Sequence, residues 1–110
     1  ELVPQDPLGW LLSATLARRE GNLTLSRAYI ATAAKLATKD PAIALEAGNI
    51  AIEANDYAGA RKNWQATVDL SPASPYAATA KEHLKALDAM EAASKAPSAT
   101  KPAAPATPSR

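Results

Sequence analysis

The chain has 110 residues, a formal net charge of +1 and no cysteine, and it is 47% hydrophobic although only 5% aromatic. Its 12 basic and 11 acidic residues are interleaved, which argues against a nucleic-acid surface and against a polybasic membrane anchor. Without cysteine there can be neither a disulfide framework nor a thiolate zinc site. About a quarter of the residues are alanine, which favours one domain of thin, closely spaced helices.

Three helix starts recur at a fixed interval along the chain. Pro7, Pro41 and Pro75 are each separated by 34 residues, and each follows an Asp or a Ser. Asp and Ser are good N-cap residues, and proline at the first helical position has no amide hydrogen to leave unsatisfied. Together with the apolar spacing, these signals predict a lead at residues 1–6 and five helices, at about 7–20, 23–38, 41–54, 57–70 and 75–90.

Apolar side chains in these helices predict which faces are buried. In the second helix we expect inward-facing residues at three- and four-residue spacing, namely Leu25, Tyr29, Ile30, Ala33 and Leu36. Gly48 lies inside the third helix, where glycine costs about 1 kcal/mol relative to alanine. We therefore expect two helix backbones to approach closely there, and expect Gly48→Ala to be far milder than Gly48→Leu.

The first helix has a second apolar face. Leu8, Leu12 and Leu16 form a stripe at i, i+4 and i+8, and such a stripe on a small domain is more often an interface than an accident. Upstream helices, a second copy of the chain or a different partner could cover it.

A period of 34 residues with two helices in each unit resembles the tetratricopeptide repeat (TPR) family. With each proline counted as position one, the family pattern expects small residues at positions eight, twenty and twenty-seven. Here these are Ala14, Ser26 and Ala33 in one unit and Gly48, Ala60 and Thr67 in the next. The turn glycine is Gly21 and then Asn55, and the aromatic slot holds Ile30 and then Trp64. The chain departs from the pattern at Ala44, where a large residue is usual, and at Thr38, where proline is usual.

The resemblance implies an all-α solenoid, a right-handed superhelix of about five antiparallel helices. Its units would be a TPR repeat at 7–40, a second at 41–74, a capping helix at 75–94 and a disordered Ala/Pro-rich tail or linker at 95–110. It also implies a concave groove that binds a partner segment, with these candidate residues: Leu11, Thr15, Arg18, Arg19, Leu45, Asn49, Ile52, Glu53 and His83.

Catalytic patterns are weak in this chain. His83 is the only histidine and has no second histidine or cysteine to share a metal, so a solvent-exposed or groove-edge position is expected for it. Glu46 and Glu53 lie seven residues apart and could project together, but glutamates on a helix are more often a solvated face. We expect no enzyme activity, cofactor or metal.

The sequence therefore favours a non-enzymatic module that binds a protein or peptide. The alternative is a structural role in assembly or oligomerisation within a larger bacterial, envelope-associated complex, through self-association of helix one. We expect no nucleic-acid partner and no membrane insertion by this segment. The chain starts with Glu1, so we expect a removed or missing N-terminal segment. The Ala-rich, aromatic-poor composition resembles that of proteins from GC-rich bacteria, so we expect the bacterial cytoplasm or periplasm.

Overall fold

A computed structural model of the chain describes residues 6–95, which form five helices and no strand. The helices are α1 (Pro7–Arg19), α2 (Leu23–Leu36), α3 (Pro41–Glu53), α4 (Tyr57–Leu70) and α5 (Pro75–Lys95). The connections between them have three or four residues, so consecutive helices run antiparallel. This confirms the all-α prediction.

Two helix ends differ from the prediction. Helix α2 ends at Leu36, because Ala37 leaves the helical conformation with φ −141° and ψ 82°. Helix α5 continues past Met90 to Lys95, since Ala92 and Ala93 are strong helix formers. The predicted tail at 95–110 thus loses its first residue to the helix, and residues 96–110 lie outside the described part of the chain.

The same capping chemistry starts the first helix of each unit. The side-chain oxygens of Asp6 and Asp40 accept hydrogen bonds from the amides two residues ahead, at 3.0 and 2.9 Å, and Ser74 Oγ accepts from an amide three residues ahead at 3.1 Å. Asn22 and Asp56 cap α2 and α4 in the same way. Each cap satisfies an amide that the helix itself leaves without a partner.

The turns within the two units are also alike. Gly21 and Asn55 adopt positive φ, at 81° and 62°, and in both turns the amide of the following residue donates to a carbonyl five residues back at 2.8 Å. This bond closes the end of the preceding helix in a left-handed turn. Glycine adopts that conformation without strain, and asparagine is among the residues that tolerate it best.

Small side chains occupy equivalent buried positions in the two units. The residues that the 34-residue period places at equivalent positions are all buried: Ala14, Ser26, Ala33, Gly48, Ala60 and Thr67. Ile30 and Trp64 are buried beside them. By contrast, Leu25 and Leu36 were wrongly predicted to face inward, since they are 42% and 39% exposed.

Helix α3 is the centre of the arrangement. It contacts all four other helices, whereas α2 and α4 do not contact each other. Helices α1, α3 and α5 therefore lie side by side in one layer, and α2 and α4 form a second layer behind them. Arg61 on α4 ties the last two helices together through exposed ion pairs with Asp88 and Glu91 on α5.

Candidate functional site

The open side of the α1–α3–α5 layer contains a pocket of about 400 Å³. The facing sides of α1, α3 and α5 form its walls, and α4 contributes one side chain from behind. The lining residues are Arg18 from α1, Asn49, Ile52 and Glu53 from α3, Trp64 from α4, and His83, Ala86, Leu87 and Met90 from α5. We call this pocket and the side chains that line it the groove pocket.

Trp64 forms the floor of the groove pocket and is held from three sides. Its ring packs against His83 with centroids 4.9 Å apart, and its Nε1–H donates to Asn49 Oδ1 at 3.2 Å. Gly48 lies directly under the indole, where a Cβ would come within 2.4 Å of ring atoms. The close approach at Gly48 is therefore made by a tryptophan ring and not by a second helix backbone, and even alanine does not fit without a shift.

An ion-pair cluster closes the groove pocket at the α1 side. Arg18 donates from Nε to Glu46 Oε2, from NH2 to Glu46 Oε1 at 3.3 Å, and from NH1 to Glu53 Oε2 at 2.9 Å. Glu46 is buried, while the side chain of Glu53 is 44% exposed. Asn49 Nδ2 donates to Glu46 Oε1 at 3.4 Å, which links the cluster to the indole.

These hydrogen bonds affect the protonation of Arg18 and the surroundings of Glu46. Hydrogen bonding to Glu46 is the main cause that raises the pKa of Arg18 above its ordinary value, while burial opposes the rise and Glu53 adds to it. An arginine is charged at every pH at which a protein is handled, and these hydrogen bonds stabilise that charged form further. The expectation that Glu46 belongs to a solvated face is wrong, because its carboxylate is the buried partner of Arg18.

Five of the nine predicted groove residues line the pocket: Arg18, Asn49, Ile52, Glu53 and His83. The other four do not. Leu11 and Leu45 pack against the two hydrophobic core clusters, Arg19 is exposed away from the pocket lining, and Thr15 is half-buried outside it. The sequence pattern predicted Trp64 only as the aromatic residue of the repeat and did not predict Met90 as a groove residue, although the 83, 87, 90 spacing on α5 places Met90 on the groove side.

The leucine stripe of α1 is exposed, as its pattern predicts. Leu8, Leu12 and Leu16 are 59%, 60% and 58% exposed. None of the three contributes to either core cluster. This face is on the first helix of the layer, where no described helix covers it.

No helix in the described range 6–95 combines the length and the apolar character needed to cross a membrane. Within the same range no group of three or more histidine, aspartate or glutamate side chains is placed to hold a metal ion. No family model matches the chain, and comparison with curated proteins and with solved structures gave no match. Function must therefore be argued from the groove pocket and the leucine stripe themselves.

Proposed function

We propose that the chain is a TPR-type helical-repeat module that binds a segment of a partner protein in the groove pocket, without catalysis. The observation that carries the proposal is the groove pocket itself: an open, largely apolar concavity on the layer formed by α1, α3 and α5. Ligand sites are concave and mostly apolar, with a few polar groups that orient the ligand. Ile52, Leu87 and Met90 supply the apolar wall here, and Glu53 supplies a polar edge.

The repeat assignment is supported by local features that recur one period apart. Both units start with a capped proline, turn through a residue of positive φ, and bury small side chains at the same three positions. Each helix pair also packs onto the first helix of the next unit. Stacked helix pairs of this kind present one continuous layer of first helices to a partner.

The proposal is tested by selecting a displayed library of random peptides against the full chain. Ala86→Trp would fill the groove pocket from an exposed position on its wall, and Ala31→Trp, at an exposed position on α2, is the matched control. We expect peptides that bind the wild type and the control but lose at least about tenfold in affinity on Ala86→Trp, which corresponds to about 1.4 kcal/mol. A library that yields only peptides indifferent to Ala86→Trp would refute binding in the groove pocket.

A second candidate function, self-assembly, is favoured by a comparison of equivalent positions. Leu12 is 60% exposed, but the residues one and two periods later, Glu46 and Ala80, are 6% and 0% exposed. In α3 and α5 this face is covered by the preceding helix pair. Ile50, one period after Leu16, is likewise 2% exposed, whereas Tyr76, two periods after Leu8, is 44% exposed. The part of the stripe at Leu12 and Leu16 is therefore a face that other helices cover elsewhere in the same fold.

The occupant we assign to the stripe is a second copy of the chain. Leucine stands at all three stripe positions, so two copies related by a twofold axis can pack the stripe against itself. Sedimentation of the wild type should then show a mass that rises with concentration, and Leu12→Lys should abolish the rise. A wild type that stays monomeric at all concentrations tested would exclude self-assembly through this face.

A further inference from the structure

The groove pocket combines an apolar cavity with the carboxylate of Glu53, of which only one oxygen has a hydrogen-bond partner among residues 6–95. Together these two features indicate the chemistry of a ligand. Its apolar wall is formed by Ile52, Leu87 and Met90 over the ring of Trp64. Met90 is 45% exposed at the mouth of the pocket. A volume of about 400 Å³ is sufficient for one large apolar side chain, which would gain by leaving water.

The charges at the edge of this cavity do not cancel. One guanidinium, Arg18, serves two carboxylates, so the cluster has a formal surplus of one negative charge. Glu46 uses both oxygens and is buried. Glu53 uses only Oε2, and no hydrogen bond to its Oε1 is found among residues 6–95. The surplus therefore resides on Glu53, which is half-exposed and lines the pocket.

We infer that the groove pocket recognises a partner segment in which a large apolar residue is followed or preceded by lysine or arginine, with the basic group at Glu53. This inference rests on the proposed function and names the chemistry of the partner. A basic group at Glu53 is drawn in by the surplus charge, whereas an acidic group there would be repelled. Because Glu53 is already partly exposed, little desolvation opposes the pairing.

The chain's own residues 96–110 match this description poorly. They include Lys101 and Arg110, but their other residues are Ala, Pro, Ser and Thr. None of these is a large apolar side chain that could fill the cavity over Trp64. Residues 1–5 contain Leu2 and Val3 but no lysine or arginine. We therefore assign the groove pocket to a segment of a separate protein.

The test uses the peptides selected against the full chain as probes, at pH 7.5. We expect the groove-dependent peptides to contain a large apolar residue next to Lys or Arg. Glu53→Gln should weaken their binding about three- to tenfold, and replacing the basic residue of the peptide by Gln should have no further effect on that variant. Raising the salt concentration should weaken binding to the wild type more than binding to Glu53→Gln.

Glu82→Gln is the matched control, because Glu82 is exposed on α5, lies outside the pocket lining and makes the same change in net charge. It should leave affinity unchanged, and thermal melts should show that both variants are folded. Groove-dependent peptides without a basic residue, or equal effects of Glu53→Gln and Glu82→Gln, would overturn this inference and leave the proposed function standing. Absence of any groove-dependent peptide would overturn both.

One further variant tests the choice of occupant. Replacing Lys101 and Arg110 by Gln in the full chain should leave peptide affinity unchanged. A rise of about tenfold would mean that residues 96–110 compete for the site. The assignment to a separate partner would then be wrong.

Discussion

Replacing Gly48 with alanine should destabilise the protein, although alanine is the better helix former. A Cβ at position 48 would lie 2.4 Å from both Cδ1 and Nε1 of Trp64 and 2.9 Å from Cε2. The ring cannot retreat freely, because it packs against His83 and donates a hydrogen bond to Asn49. Relief of the clash must therefore disturb at least one of these contacts.

The magnitude follows from three opposing terms. Alanine in place of glycine should contribute about 1 kcal/mol of helix propensity. Overpacking a buried site costs about 1–3 kcal/mol, and loss of the indole hydrogen bond to Asn49 costs about 1 kcal/mol more. The net effect is a loss of about 1–3 kcal/mol, and each kcal/mol corresponds to a fall of about 4–8 °C in Tm for a domain of this size.

Urea denaturation followed by circular dichroism measures this difference directly. The control is Ala31→Gly at an exposed position in the middle of α2, which should cost about 1 kcal/mol and calibrates the propensity term in this protein. Adding Trp64→Phe to Gly48→Ala should couple favourably, because the smaller ring relieves the clash. If Gly48→Ala instead raises stability by about 1 kcal/mol, the indole yields freely and the close contact is not a constraint.

Three other substitutions test the remaining contacts. Arg18→Ala should cost about 2–3 kcal/mol in urea denaturation, since it leaves the Glu46 carboxylate buried without its charged partner. Adding Glu46→Gln should recover part of the loss. Arg61→Ala is the control at an exposed ion pair and should change stability far less. Asn49→Ala should cost about 1–3 kcal/mol because the indole N–H loses its acceptor, and an unchanged near-UV dichroism spectrum would contradict a fixed indole. At a concentration at which the wild type sediments as a monomer, Leu12→Lys should change stability by no more than about 0.5 kcal/mol. A large loss in the thermal melt under that condition would show that this leucine belongs to the core.

Predictions from the sequence were accurate where short-range interactions decide the structure. Each helix start depends on a capping residue next to it in the chain, followed by a proline in α1, α3 and α5, and the turns at Gly21 and Asn55 depend on one residue that accepts positive φ. The small residues one period apart were also predicted correctly as packing positions. Each of these features depends on a few neighbouring residues or on a regular spacing, and both can be read directly from the sequence.

Exposure of the long apolar side chains was harder to predict. At about 100° per residue, Leu25 and Leu36 lie roughly 120–140° around the helix from Ile30. The apolar residues of α2 therefore fall on two faces, and of these three only Ile30 is buried. Periodicity defines the angle of a side chain around its helix, but the depth of burial depends on where the next helix crosses. The exposure of Leu8, Leu12 and Leu16 was predicted correctly, because no described helix covers that face of α1.

The amino-acid sequence alone determined the helices, their turns, their register and the repeat that relates them, because these follow from local backbone preferences and regular spacing. Only the tertiary structure decided the groove pocket. Arg18 meets Glu46 and Glu53 from 28 and 35 residues away, and Trp64 meets His83 and Asn49 from neighbouring helices. In a sequence with nearly equal numbers of acidic and basic residues, the pattern does not tell which charges form ion pairs, because the pairing depends on helix packing. Here that pairing leaves one oxygen of Glu53 without a hydrogen-bond partner among the described residues.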